Sequence, residues 1–150
     1  MVIWAARAIA QASSSASDYT PYVNLFLGTE NGGNMFPGVV PQPYSMVKLG
    51  PDVENGETDA YSGYLPTGSV WGFSMMHESG TGGAPNYGVV SQQPVEGKMS
   101  NPLVDLSMER TKNDTASVGY YRSSLTGGID VELAGSVHAG LYQYTFPSGM

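Results

Sequence analysis

Hydrophobic and polar residues alternate most regularly in the last third of the chain. Ile129, Val131 and Leu133 occupy every second position, with polar or small residues between them. This is the period of a strand that has one face in water. Residues 120–125 form a second strand-like segment, and Thr126-Gly127-Gly128 between the two segments is a turn signal. The pattern therefore predicts a β-hairpin over residues 120–134.

The rest of the chain shows the same preference for strands. No segment after the Ser-rich residues 13–17 has convincing helical periodicity, and 20 glycines and 10 prolines interrupt the sequence. This is typical of an all-β fold, and we expect an antiparallel β-sandwich with long Gly-rich loops. The predicted strands cover residues 22–26, 44–49, 71–76, 89–94, 116–125, 129–134 and 139–145. Because a sandwich ending just after the last strand would leave an edge or an apolar face uncovered, we expect a piece of a larger protein.

Composition limits the partners that this chain can bind. Its 150 residues, 41% of them hydrophobic, suffice for one domain core. The net charge of −7 argues against nucleic acid, since no basic stripe is available for a phosphate backbone. The composition does not predict a membrane protein, and the lack of cysteine excludes disulfides and thiolate metal sites. An acidic surface is compatible with neutral sugars or with a divalent cation.

Residues 1–20 are interpreted as a leader that precedes the domain. They are Ala-rich and contain Ala10-Gln11-Ala12, which has the form of a signal cleavage site, but Arg7 interrupts a short apolar run. A degraded secretion signal and a plain flexible or helical linker both remain open, and so do secretion and a cytosolic location. Asn113-Asp114-Thr115 is a glycosylation sequon if the chain is exported.

The first Gly-rich loop, residues 28–38, is a candidate binding loop. Glycines allow backbone amides to approach a ligand closely, and an aromatic ring offers a flat face to a sugar. The candidate residues are Gly28, Thr29, Asn34 and Phe36. The alternative, which the sequence alone favours, is a compact Ω-loop with Phe36 packed in the core. The glycine spacing does not match a dinucleotide-binding or P-loop motif.

The second Gly-rich loop, residues 72–83, has a histidine, an acid and two hydroxyl groups. The order His77-Glu78-Ser79-Gly80 does not match a nucleophile elbow, so a hydrolase triad is not predicted. His77 either donates to a ligand hydroxyl or is a buried histidine that pins the loop, and the second interpretation is slightly favoured.

Four carboxylates follow one another closely in the loop at residues 50–59. Oxygen-rich loops can hold calcium, but the ligand spacing of an EF-hand is missing here. We therefore expect a solvated acidic loop. The four residues are Asp52, Glu54, Glu57 and Asp59.

Several separated motifs occur together in one order and spacing. They lie at residues 23–29, 34–38, 43–52, 62–64, 72–82 and 139–147. In this combination, residues 21–150 resemble the N-terminal domain of glycoside hydrolase family 92, the calcium-dependent exo-acting α-mannosidases. The resemblance favours the ligand-facing interpretation of both Gly-rich loops over the purely structural one.

The resemblance implies a β-sandwich of the galactose-mutarotase-like supersandwich type, packed on a C-terminal (α/α) barrel. In that family, inverting hydrolysis of terminal α-mannosides, mainly from N-glycans, takes place in the groove between the two domains. The catalytic carboxylates and most calcium ligands belong to the C-terminal domain, so the resemblance implies no catalytic residue in this chain. We expect the chain alone to be inactive on aryl α-mannosides.

The resemblance also suggests which residues form the pocket wall. They would position mannose without moving a proton, and they are Gly28, Thr29, Asn34, Phe36, His77, Ser79, Gly80 and Thr81. Two departures concern the substrate: Met75 stands where many relatives have a histidine, and Thr58 where many have a tryptophan. Two alternatives stay open, an independent carbohydrate-binding module and a non-functional gene-model fragment.

Overall fold

The computed structural model describes residues 17–31, 35–37, 45–53, 62–77, 90–102, 104 and 106–149. These ranges contain strands and two short 3-10 turns, Thr20–Tyr22 and Thr126–Gly128, and no α-helix. The strands are β1 Gly50–Val53, β2 Val70–Ser74, β3 Thr115–Ser117, β4 Tyr120–Ser124, β5 Asp130–Gly135 and β6 Gly140–Thr145.

The larger sheet contains four antiparallel strands in the order β3-β4-β5-β6. The 3-10 turn Thr126–Gly128 joins β4 to β5, with Gly127 at φ 78°. Tyr121 pairs with Leu133, and Leu133 pairs with Tyr142, so these three side chains share one face. Tyr121 and Leu133 are buried, while alternate residues are more exposed. The predicted hairpin over residues 120–134 is confirmed.

The smaller sheet pairs β1 with β2, also antiparallel. The register shifts between Asp52 and Val53, which marks an irregularity near the end of β1. Two isolated bridges extend this sheet, because Phe73 pairs with Gln92 and Val70 pairs with Met108. All four residues of β1 are buried, so this strand has no solvent-facing side.

The two sheets pack face to face around one hydrophobic core. Phe73 of β2 lies 6.4 Å from Tyr144 of β6, measured between ring centroids. At Gly140, a Cβ would lie 2.9 Å from Cδ2 of Leu49, so this part of β6 packs closely against the Leu49 side chain. The expected all-β antiparallel sandwich is therefore confirmed. The core residues are Phe36, Val47, Leu49, Val53, Tyr64, Val70, Phe73, Tyr121, Leu125, Ile129, Val131 and Leu133.

The strand predictions succeed best at residues 71–76 and after residue 115. The strands predicted at 71–76, 129–134 and 139–145 are found within two residues of their expected bounds. The strand predicted at 116–125 is two strands, because the chain turns at Val118 and Gly119, with Gly119 at φ 81°. The resulting hairpin β3-β4 is antiparallel.

The other three strand predictions are less accurate. The strand expected at 22–26 is wrong, because the Asn24 side chain accepts a hydrogen bond from the Phe26 amide at 3.0 Å and forms a turn. The strand expected at 44–49 begins later, at Gly50, after bridge residues at 48 and 49. In the segment expected at 89–94, the described residues contribute only a bridge at Gln92. Residues 44 and 89 lie outside the described ranges.

Candidate functional site

His77 follows β2 and is fixed by two oxygen atoms. Its Nδ1 lies 2.9 Å from the carbonyl oxygen of Lys48, and its Nε2 lies 3.0 Å from Oδ1 of Asp52. The residue is 1% exposed. His77 is therefore buried with both ring nitrogens partnered, as one of the two interpretations of the sequence expects.

Asp52 is the acceptor around which this part of the domain is organised. Ser74 donates to Oδ1 at 2.7 Å, and Ser91 donates to Oδ2 at 2.8 Å. With the Nε2 contact from His77, the carboxylate has three polar partners. We call Asp52, Ser74, His77 and Ser91 the Asp52 cluster. A buried carboxylate requires such partners, because losing its hydration otherwise costs several kcal/mol, on the order of 3.

The expectation of a solvated acidic loop is wrong for Asp52, which is 5% exposed. The reason is that β1 lies inside the sandwich, where hydroxyl groups replace the water that the carboxylate loses. Glu54, Glu57 and Asp59 lie outside the described residues.

Each ring nitrogen of His77 lies within hydrogen-bond distance of an oxygen atom of the domain. A carbonyl oxygen can only accept, so Nδ1 carries the hydrogen that bonds Lys48. Nε2 lies 3.0 Å from a carboxylate oxygen of Asp52. Both ring nitrogens are thus used within the domain. The arrangement can fix a loop, and it leaves no ring nitrogen free for proton transfer to another molecule.

Phe36 connects the first Gly-rich loop to this histidine. The rings of Phe36 and His77 stack with centroids 4.6 Å apart and planes 19° from parallel. Phe36 is buried, which agrees with its interpretation as a core residue. The structure thereby brings one residue from each Gly-rich loop into direct contact.

The first loop is closed by its own backbone. The Met35 amide donates to the Gly28 carbonyl at 3.0 Å, and Gly28 has φ 79°. A Cβ at Gly28 would lie 3.0 Å from Met35 Cγ, so glycine fits both the backbone conformation and the space. Thr29 is buried, and its hydroxyl donates to the Phe26 carbonyl at 2.9 Å. Gly28 and Thr29 therefore lie at the base of the loop.

The predicted pocket-wall residues fall into two groups, those that the structure describes and those that it does not. Asn34, Ser79, Gly80 and Thr81 lie outside the described residues. Gly28, Thr29, Phe36 and His77 are described, and of these the structure brings Phe36 and His77 together.

Sequence reasoning missed Asp52, Ser74 and Ser91 as members of one cluster. No hydrophobic period in the sequence marks Asp52 as buried, because all four residues of Gly50–Val53 are buried and include a proline and an acid. Gly72 gives an indication in the structure, because a Cβ there would lie 1.8 Å from Ser91 Oγ. No sequence signal identifies Ser91, since it comes close to Asp52 only through the folding of the chain.

A second buried carboxylate occurs at the other side of the fold. Asp114 accepts hydrogen bonds from Ser123 at 2.6 Å and from Tyr64 at 3.1 Å. Arg110 forms an ion pair with it, with Nε 2.9 Å from Oδ2, and donates through Nη1 to the Gly68 carbonyl at 2.9 Å. We call Tyr64, Arg110, Asp114 and Ser123 the Asp114 cluster. Burial, and then the charge of Asp114, raise the pKa of the Tyr64 hydroxyl well above its usual range.

Tyr142 on β6 lies in the electrostatic field of the Asp52 cluster. Burial, and then the charge of Asp52, raise the pKa of its hydroxyl to about 12. The hydroxyl oxygen is buried, and no residue in the described part of the chain hydrogen-bonds it.

The described residues do not form a metal centre, since they include no group of three or more His, Cys, Asp or Glu side chains able to hold an ion. The two buried carboxylates are already occupied by donors of the domain. The described residues also contain no helix that is long and apolar enough to span a bilayer.

Comparison with known proteins identifies related sequences. The model of the glycosyl hydrolase family 92 N-terminal domain matches residues 22–150. A protein of Arthroderma benhamiae described as an uncharacterized secreted glycosidase is 36% identical over 144 residues, covering 91% of this chain. The chain spans 18% of the length of that relative. No solved structure matches the chain.

Proposed function

Because this chain belongs to the glycosyl hydrolase family 92 N-terminal domain family, we propose that it forms one wall of the substrate pocket in an α-mannosidase-like glycoside hydrolase. The substrates we propose are terminal α-mannosides of N-glycans. The observation that carries the proposal is the contact between the two Gly-rich loops, in which Phe36 stacks on His77. The two segments considered as binding loops on sequence grounds thus share one anchor.

The domain contributes to catalysis by holding the two Gly-rich loops in position. His77 is held at both ring nitrogens, so the start of the segment that carries Ser79, Gly80 and Thr81 is fixed relative to β1. Phe36 holds the first loop against the same ring. We propose that the groups beyond these anchors, including Asn34 and Thr81, bind mannose hydroxyls. Pre-organised loops reduce the entropy lost when a sugar binds.

We place the proton transfers in a C-terminal barrel domain of the full-length protein. Inverting hydrolysis requires an acid and a base that flank the glycosidic bond and leave room for a water molecule. Neither buried carboxylate of this domain fits that role, because donors of the domain occupy the oxygens of both Asp52 and Asp114. This supports a wall-forming role.

Calcium does not fit the residues described here. The Asp52 carboxylate is surrounded by donors, and calcium requires acceptor oxygens that are free to coordinate it. We therefore propose that the calcium ligands belong to other parts of the full-length protein.

We also propose that the protein is exported. The support is the word "secreted" in the description of the Arthroderma benhamiae relative, together with the Ala-rich leader at residues 1–20.

The function is tested by assaying the purified full-length protein, with calcium and with EGTA, on 4-nitrophenyl α-mannoside. The β-mannoside and the α-glucoside serve as matched controls. We expect calcium-dependent release of nitrophenol from the α-mannoside alone, and no release by the isolated 150-residue chain. Turnover by the isolated chain would contradict the proposal. Mannose binding by the isolated chain, without hydrolysis by the full-length protein, would instead support a carbohydrate-binding module.

A further inference from the structure

The only Asn-x-Ser/Thr triplet of the whole sequence, Asn113-Asp114-Thr115, lies where the chain enters β3. Glycosylation of such a triplet requires that the asparagine amide and the threonine hydroxyl be accessible. In the structure, Asn113 and Thr115 are exposed, and the Asn113 side chain makes no hydrogen bond within the described part of the chain. The fold therefore leaves both functional residues of the triplet accessible.

The middle residue of the triplet faces the opposite way. The Asp114 side chain is 1% exposed, and it is the acceptor at the centre of the Asp114 cluster. Its negative charge is paired with Arg110 inside the domain. Side chains of an extended segment alternate between two faces, so anchoring Asp114 inward turns its two neighbours outward.

The surroundings of Asn113 provide room for a large substituent. It lines an open surface cavity of about 380 Å³, together with residues 66–69 and 109–112. β3 is also the edge strand of the larger sheet and is three residues long. A glycan beside an edge strand hinders pairing with another chain, which is a common hazard of exposed edges.

From these observations we propose that Asn113 is a site of N-linked glycosylation. The modification joins the Asn113 side-chain amide nitrogen to the first sugar of an oligosaccharide, which a lipid-linked pyrophosphate donor of the secretory pathway supplies. The amide nitrogen loses one hydrogen, and the pyrophosphate is the leaving group. The proposal rests on export, which is part of the proposed function, and it is independent of the mannosidase activity.

The test expresses the full chain behind a cleavable secretion signal in a eukaryotic host. Signal-cleaved protein is recovered from the medium or from microsomes, so that entry into the secretory pathway does not depend on the chain's own leader. Digestion with peptide N-glycosidase F in ¹⁸O-labelled water converts a glycosylated asparagine to labelled aspartate. Mass spectrometry of the tryptic peptide ending at Arg122 then gives the occupancy of Asn113.

We expect most of the wild-type protein to carry the label at Asn113. Asn113→Gln and Thr115→Ala should abolish the label, whereas Thr115→Ser should retain it. As a matched control, Lys98→Asn places an asparagine two residues before Ser100 in another exposed segment. An unlabelled Asn113 peptide from signal-cleaved wild-type protein would overturn the proposal, most clearly if the Lys98→Asn variant is labelled at its new site. Activity assays of the full-length protein test the mannosidase proposal separately.

Discussion

Asp52 and Asp114 are both buried carboxylates with two hydroxyl donors and one basic partner, yet they lie in different parts of the sandwich. Asp114 joins residues near the edge of the larger sheet to Tyr64 and, through Arg110, to the backbone at Gly68. Asp52 lies on β1 and holds His77 at the entrance to a Gly-rich loop. The same set of contacts stabilises the sheet packing in one region and positions a loop in the other.

The basic partners differ in a way that fits these two roles. A guanidinium group carries a permanent charge, so the Arg110–Asp114 pair is a fixed structural link. An imidazole ring presents two nitrogens in one plane and can stack on another ring. His77 uses all three features, toward Lys48, Asp52 and Phe36. The comparison predicts that changes in the Asp114 cluster reduce stability alone, whereas changes in the Asp52 cluster also alter the loops.

The largest effect is expected for Asp114→Ala. The substitution leaves the Arg110 guanidinium buried without its counter-charge, so the free energy of unfolding should fall by about 3–5 kcal/mol. Urea unfolding of the 150-residue chain, followed by tryptophan fluorescence, measures it. Arg122→Ala breaks a more exposed pair with Asp130 and is the matched control, with an expected loss below about 1 kcal/mol. Equal losses in the free energy of unfolding for the two variants would contradict a special structural role of the Asp114 cluster.

His77→Ala is expected to cost about 3 kcal/mol, because Asp52 loses its basic partner while it stays buried. Amide hydrogen exchange of this variant distinguishes the role of the Asp52 cluster from that of the Asp114 cluster. Exchange should accelerate in peptides that contain residues 35–37 and 72–77, since both loops lose their shared anchor. In Asp114→Ala the same peptides should exchange as in the wild type under native conditions. Acceleration in both variants alike would contradict the distinction between the clusters.

The sequence predicts the larger sheet well and β1 of the smaller sheet poorly, for a physical reason. In β5, the buried residues Val131 and Leu133 alternate with half-buried residues, so the period of two is visible. β1 is buried throughout and contains a proline and an acid, so it has no period to detect. Residues 22–26 look like a strand by composition, but the side chain of Asn24 closes a turn there.

Of the candidate site, the sequence predicts individual residues but not the contacts between them. The burial of His77 is one of the two interpretations that the sequence offers, and the structure shows it. Its partner Asp52 comes from a strand 25 residues away, and the contact depends on the pairing of β1 with β2. Ser91 reaches the same carboxylate from a third segment, which only the folded chain brings close.

A smaller effect is expected from filling the space at Gly72. Gly72→Ala places a Cβ 1.8 Å from Ser91 Oγ, so the serine hydroxyl must leave Asp52. We expect a loss of about 1–2 kcal/mol, since the hydrogen bond goes to a charged group but Ser91 is exposed. A double-mutant cycle with Ser91→Ala checks the cause, because the two changes should be clearly non-additive. Strict additivity in urea unfolding would show that Gly72 acts through something other than Ser91.

The smallest effect concerns alkaline pH. The pKa of Tyr142 is raised from 10.0 to about 12 in the folded domain, so between these values the unfolded chain loses this proton first. The folded state then binds more protons than the unfolded state, and stability should fall as pH rises from about 10 to 12. Tyr142→Phe should make this decline less steep in urea titrations at several pH values. An unchanged slope would show that Tyr142 does not contribute to it.

The central claim is that Phe36 and His77 together hold the loops of a mannose-binding wall. It is tested most directly by steady-state kinetics of the full-length protein on 4-nitrophenyl α-mannoside, with Phe36→Leu and His77→Gln compared with Arg122→Gln on the outer sheet face. The account predicts a KM increase of about tenfold or more in the first two variants, equivalent to about 1.4 kcal/mol of lost binding, with a smaller change in kcat. The Arg122→Gln variant should match the wild type. Folded Phe36→Leu and His77→Gln variants with wild-type KM would contradict the account.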